Sequence, residues 1–423
     1  MINKKLFWIY LLSSAVYFTQ GIEGLPGLSL FFYLKESLHF TPEKIMYIGA
    51  ITGIAWLIKP LWGYLCDNFL SNKKWILMSL LGSISISFYF GISAFLPLTL
   101  LITLLSLSGF NAALRDVSVD GIMCIDGKAT NACDKIQAIQ WTSITIASIA
   151  VGLGGGYIAD HFTYKIGYLL LIPIYLIIMG IVLRYRTIVP KNRTKEDSCG
   201  ICKFKLKCAG DDNNICDNYI IEKISILETI CSYKKLFVNK GFLIACLFLF
   251  LYKYSPSFGT PLQFIERDVF KWSGQWMGIL GAIVSCFEIL GAIIFFKICK
   301  KINIKKWLYI SVFLGAVTTL CYLRFTPVTA IIYGIAFSVL GMFIHLIIMS
   351  WMAKSTLPGK EATSFALLCS ISNLAGTASS LSGAFLFPKI GLSFLICLSA
   401  GTSFLCLPLI KYLKIGNGNG KTN

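Results

Sequence analysis

Trp56-Leu57-Ile58-Lys59-Pro60-Leu61-Trp62-Gly63, running on to Asp67, and Arg115-Asp116-Val117-Ser118-Val119-Asp120 decide the fold of this chain. Both place ionisable side chains inside stretches that are otherwise almost wholly apolar. A charge at the centre of a bilayer costs at least about 2.5 kcal/mol, so such a residue faces a cavity, a partner or a solute path. Acids and bases submerged in this way imply a polytopic membrane protein with a polar interior. Transport is the first function that such an interior fits.

Outward from those motifs the composition agrees. Of 423 residues 56% are hydrophobic and only 14% charged, with mean hydropathy +0.73. A soluble domain carries about 25% charged residues. Apolar stretches of about 20 residues, each long enough to cross about 30 Å of hydrocarbon, recur from end to end. Their predicted cores are 6–34, 43–66, 74–95, 97–125, 135–160 and 163–188, then 241–265, 273–298, 304–325, 327–353, 361–387 and 389–413. The expectation is an all-α protein of about twelve transmembrane helices in a 6+6 arrangement. Residues 1–189 form an N-terminal six-helix half and 190–238 a basic, Cys-containing cytoplasmic loop. Residues 239–414 form the second half, and 415–423 a flexible tail rich in Gly and Asn.

The net charge of +18 would point to nucleic acid on a soluble protein. Here the cations sit in the segments expected inside, from Lys4 and Lys5 through Lys73, Lys74, Lys300, Lys301, Lys305 and Lys306 to Lys411 and Lys414, and in the central loop. That asymmetry is an orientation signal and puts both termini in the cytoplasm. No basic face interleaved with aromatics supports a nucleic-acid partner. In the loop, Cys199, Cys202, Cys208 and Cys216 could close a four-thiolate zinc site. Their irregular spacing and the lack of an accompanying His favour a plain reduced loop, so no metal and no cofactor is expected.

Two six-helix halves joined by a basic loop is the plan of the major facilitator superfamily. Gly63-Tyr64-Leu65-Cys66-Asp67 with Lys73-Lys74 resembles that superfamily's G-x-x-x-D gating turn between its second and third helices. Gly24, Pro26 and Gly27 interrupt the first span, and a break at that depth is tolerated only beside protein or a wet cavity. Small-residue rows (Gly152 to Gly156; Gly278, Gly281 and Gly291; Gly376, Ser379, Ser380 and Gly383) read as close helix packing.

The candidate solute and proton pathway comprises Glu23, Lys59, Arg115, Asp116, Asp120, Lys253 and His345. Asp116 and Asp120, four residues apart, share one helix face and repel, so one of them is suited to carry a proton. Lys59, Arg115 or Lys253 could hold an anionic group, and Trp56, Trp62, Trp141, Tyr252 and Tyr254 could stack on a planar ring. The bland alternative is that Lys59, Arg115, Asp116 and Asp120 pair with one another and brace the bundle. Glu23, nearer the midplane, is the better site candidate.

Tyr17-Phe18-Thr19-Gln20-Gly21, then Trp56 to Gly63 with Asp67, then Asp116-Val117-Ser118-Val119-Asp120, resemble in order the motifs of the folate–biopterin transporter family within the major facilitator superfamily. The resemblance implies a symporter that moves pteridines or folates by alternating access, driven by protons or another coupling ion. It carries charged-motif roles onto Lys59, Asp116 and Asp120. Related families with a D-x-x-x-D fourth helix carry muropeptides or acetyl-CoA, and both stay open. The partners expected are a small-molecule substrate, a coupling ion and the bilayer, and the chain is expected to be monomeric.

An enzyme would need a nucleophile–base set or metal triad, yet the three histidines, His39, His161 and His345, lie far apart. No Walker loop is present to drive transport with ATP. A membrane receptor or scaffold is the competing class, and in it the buried charges would be dispensable for flux.

Overall fold

The structure, a computed structural model, describes residues 2–93, 96–123, 133–185, 239–298, 302–354 and 361–413. Helices α1 (Ile2–Ile22), α2 (Gly27–Phe32), α3 (Pro42–Thr52), α4 (Ile54–Leu57), α5 (Lys59–Asn68), α6 (Asn72–Ile92), α7 (Leu98–Ile122), α8 (Cys133–His161) and α9 (Tyr164–Arg184) make the first bundle. The second contains α10 (Lys240–Lys253), α11 (Gly259–Asp268), α12 (Gly274–Ile298), α13 (Ile304–Cys321), α14 (Pro327–Lys354), α15 (Glu361–Ser403) and α16 (Leu407–Ile410).

Among the described residues these helices make twelve passages. Seven are single helices long and apolar enough to cross a bilayer: α6, α7, α8, α9, α12, α13 and α14. The 44-residue stretch Leu367–Ile410 supplies two more. It is divided at Gly391, whose φ of 71° lies where an L side chain is disfavoured. The remaining three passages are broken: α1–α2, α3–α5 and α10–α11.

Each break has a cause in the sequence, and neighbours satisfy the backbone groups it frees. Pro60 has no N–H to give Trp56, four residues earlier. The Trp56 carbonyl accepts instead from Asn373 Nδ2 of α15 at 3.0 Å, and Ala55 O accepts from Trp62 Nε1 at 2.9 Å. Pro256 stops α10 in the same way, so the span predicted as continuous over 241–265 is two helices. There Ser379 Oγ donates to Ser255 O, Ser399 Oγ donates to Pro256 O at 3.0 Å, and Ser257 N donates to Ser379 O at 3.0 Å. In the first passage the chain winds through Glu23–Pro26 in short turns, with Gly24 N on Gly21 O at 3.1 Å and Gly27 N on Gly24 O at 2.8 Å. Irregular backbone inside a membrane survives only where protein or a wet cavity meets it in this manner.

Two separate cores lie behind these elements. Ile9, Leu12, Ile76, Leu80, Leu101 and Tyr175 belong to the first; Phe248, Leu308, Trp351, Leu368 and Ile410 belong to the second. Large apolar side chains such as Ile177, Val328 and Phe394 are exposed on the flanks, the surface a multi-pass protein turns to lipid. The halves meet where α8 crosses α12 and where α3–α5 run beside α15. At the first crossing glycine is required. A Cβ on Gly156 would sit 2.7 Å from Gly274 O and 2.9 Å from Gly278 Cα. The Gly152–Gly156 row is thus helix packing, as its composition implies.

Candidate functional site

Asp116 and Asp120 lie one turn apart on α7, and both reach α1. Gln20 Nε2 donates to Asp116 Oδ1 at 2.7 Å, and Tyr17 Oη donates to Asp120 Oδ1 at 2.7 Å. Tyr17 and Gln20 are three residues apart, so they form a second ladder facing the first. The Pro60 break sets Lys59 at the first position of α5, and its ammonium meets Asp116 Oδ2 at 2.5 Å. The same ammonium stands 4.8 Å from the centre of the Trp56 ring. Asp116 is therefore ion-paired, whereas Asp120 has no cation within 4.0 Å among the described residues. Gln140 of α8 adjoins Asp120. Cys369 of α15, from the other half, lies within electrostatic reach of Lys59, Asp116 and Asp120. The cluster thus borders the seam between the halves.

Arg115 takes a different path. It lies about 100° round the helix from Asp116 and points into the first bundle. Its guanidinium pairs with Glu23 and donates to Ser83 Oγ at 3.2 Å. Tyr175 Oη completes the set, donating to Glu23 Oε1 at 2.8 Å. Arg115 is fully buried and Glu23 nearly so, with side-chain exposures of 0% and 16%. Removing one partner of such a pair would strand the other charge, so the quartet braces α1, α6, α7 and α9.

The second bundle holds Lys253 and His345. Lys253 ends α10 at the Pro256 break and lies within electrostatic reach of His345 on α14. The His345 ring meets Trp141 of α8 edge to face, with centroids 4.9 Å apart, so this contact also spans the halves. Other rings considered for stacking are engaged within their own half: Trp62 packs on Phe110, Tyr254 stacks on Phe250, and Tyr252 Oη donates to Ser311 Oγ at 3.0 Å.

At the end expected to face outward the halves are tied together. Lys35 Nζ pairs with Asp268 at 2.5 Å, and Arg267 Nε with Glu36 at 2.7 Å. Asp160, at the end of α8, accepts from Gly274 N and Gln275 N at 2.6 Å each. A carboxylate there satisfies orphan amides and meets the positive end of the α12 dipole. Gly63 and Asp67 both fall on α5, and a Cβ at Gly63 would meet nothing within 4 Å. Cys199, Cys202, Cys208 and Cys216 lie outside the described residues.

The profile of the BT1 family matches residues 20–395. The chain belongs to the BT1 family. A folate-biopterin transporter of Synechocystis sp. is 22% identical over 97% of this chain and 82% of its own length. Folate transporter 1 of Plasmodium falciparum is 24% identical over 89% of this chain and 72% of its own. Among solved structures a D-xylose-proton symporter superposes with TM-score 0.73 at 10% identity, over 99% of this chain and 100% of that one. The nucleoside transporter NupG superposes with TM-score 0.65 at 15% identity, covering 96% of this chain and 98% of its own. The fold is that of the major facilitator superfamily. This BT1-family chain is a multi-pass membrane transporter of small molecules and not an enzyme.

Several residues at this site have no role in the sequence reading. Tyr17 and Gln20 were visible there only as parts of a motif, and their i, i+3 spacing opposite an i, i+4 acid pair was the usable signal. Asn373, Asp160 and the Lys35–Asp268 and Glu36–Arg267 pairs join distant segments, which no local pattern encodes.

Proposed function

We propose that this transporter imports folate- or pterin-like solutes by proton-coupled alternating access, with residues 1–189 and 239–414 as the two rocking units. The observation that carries the reading is the unequal pair on α7. Asp116 is held by Lys59, while Asp120, one turn away, faces the seam with only neutral neighbours in hydrogen-bonding reach. Two carboxylates at that spacing repel, and a proton on Asp120 relieves the repulsion. Gln20, Tyr17 and Lys59 then offer donors to a heterocyclic solute beside the Trp56 ring. The names of the relatives from Synechocystis and Plasmodium supply the substrate class.

The ties at the expected outer end support a state closed on that side. Both termini and the loop 190–238 are cytoplasmic in this reading, the chain acts as a monomer, and the Gly63–Asp67 turn of α5 belongs to the inner gate. The test is uptake into vesicles containing the purified protein under an inward proton gradient. Folate or a pterin should accumulate above empty vesicles. Accumulation of only muropeptide or acetyl-CoA, or no accumulation across the panel, would contradict the assignment.

A further inference from the structure

We propose that Lys253 is the anion-binding residue of the solute site, so that the solute carries a carboxylate and a pterin without one is the poorer ligand. The inference rests on the solute lying at the seam between the halves, and it narrows the class that the functional reading leaves open.

Lys253 stands out for what it lacks. In the first bundle the submerged cations have acids: Lys59 has Asp116 and Arg115 has Glu23. Lys253 makes no ion pair among the described residues. A submerged ammonium without a counter-charge is expensive and marks a functional position. Repair of the helix break does not explain it, because Ser379 and Ser399 satisfy the freed carbonyls of Ser255 and Pro256. The negative end of the α10 dipole beside it offers only partial compensation.

Its surroundings point to the missing partner. His345 lies within electrostatic range, and its Nε2 is buried with no hydrogen-bond partner among the described residues. With the proton on that nitrogen, the imidazole is a second donor beside the ammonium. A carboxylate has two acceptor oxygens and one negative charge, the chemistry that suits an ammonium and an imidazole N–H. Trp141 of the opposite half closes on the His345 ring, so an anion held here is held at the seam. A neutral solute leaves Lys253 stripped of water and unpaired when the halves close, and that penalty discriminates against it.

The test measures dissociation constants of the full-length protein for folate, for biopterin, which has no carboxylate, and for p-aminobenzoylglutamate, which has the acidic tail without the pterin. Lys253→Met should weaken folate about 30-fold or more, roughly 2 kcal/mol, and leave biopterin binding as well as before or more tightly. Lys253→Arg should restore most of the loss. Retained biopterin binding shows that the methionine variant is folded. Should that variant not fold, wild-type protein is offered folate and its dimethyl ester, and the ester should bind about 30-fold more weakly. Binding of p-aminobenzoylglutamate alone, sensitive to Lys253, would support this assignment while defeating the pteridine reading. Equal losses for folate and biopterin, as expected if Lys253 serves only the end of α10, would overturn it. So would an unchanged folate constant in Lys253→Met, equal affinity for folate and its ester, or no binding of any of these ligands.

Discussion

The two halves treat submerged charge differently. In the first, Arg115 is locked to Glu23, Ser83 and Tyr175, and Lys59 to Asp116. In the second, Lys253 and His345 stand without an ion-pair partner among the described residues. A buried pair mainly holds a structure in one arrangement, since breaking it costs far more than replacing it whole. An unpaired group leaves a position open for something that comes and goes. The first half thus holds braced pairs and one acid outside any ion pair, Asp120, and the second holds a cation outside any ion pair, Lys253, among the described residues.

The contrast can be broken most forcefully at the brace. Arg115→Leu leaves Glu23 without its cation and should cost about 3–5 kcal/mol, seen as a large fall in thermal midpoint and folded yield. The double replacement Glu23→Gln with Arg115→Met should recover most of that loss. If the single variant is as stable as wild type, the quartet is not a brace. At the neighbouring pair the expected effect moves from stability to flux. Asp116→Asn should slow gradient-driven uptake at least about tenfold, or 1.4 kcal/mol, with the protein still folded. Uptake at the wild-type rate would remove Asp116 from the pathway.

Changes at the seam should be smaller. Gly156→Val forces a side chain against the backbone of α12, for a cost of about 1–3 kcal/mol and a loosened outer end, measurable as faster labelling of a cysteine placed at Lys271. Asn373→Leu strands the Trp56 carbonyl at the Pro60 break, with about 1–3 kcal/mol at stake. The smallest loss of stability belongs to Lys35→Ala. Its partner Asp268 is half exposed, so the melt should move by less than about 1 kcal/mol. A larger shift would mean that the outer ties are structural and not a latch.

Much of this was legible in the chain. Apolar run length gave the passages, and the breaks at Pro26 and Gly27 followed from residue chemistry. The W-x-x-K-P and D-V-x-x-D motifs identified the family. Roles within the motifs were not readable in the same way. Arg115 and Asp116 are adjacent, and only the helix rotation sends one into the bundle and the other to the seam. Glu23 looked like a free midplane acid because its partner is 92 residues distant. Pro256 ends α10 inside a stretch read as one span, and Ser379 and Ser399, which mend that break, come from two other passages. Hydropathy treats 241–265 as one span because composition does not register a missing N–H.

Alternating access is tested most directly by the distance across the outer end. Spin labels introduced at His39, between the first two passages, and at Lys271, between the seventh and eighth, report it in lipid nanodiscs at high and low pH, with and without folate. Rocking halves predict a short distance matching the ion-paired end described above, and a second, longer one whose population shifts with protons or folate. One unchanged distance under all four conditions would contradict a passage that opens to each side in turn.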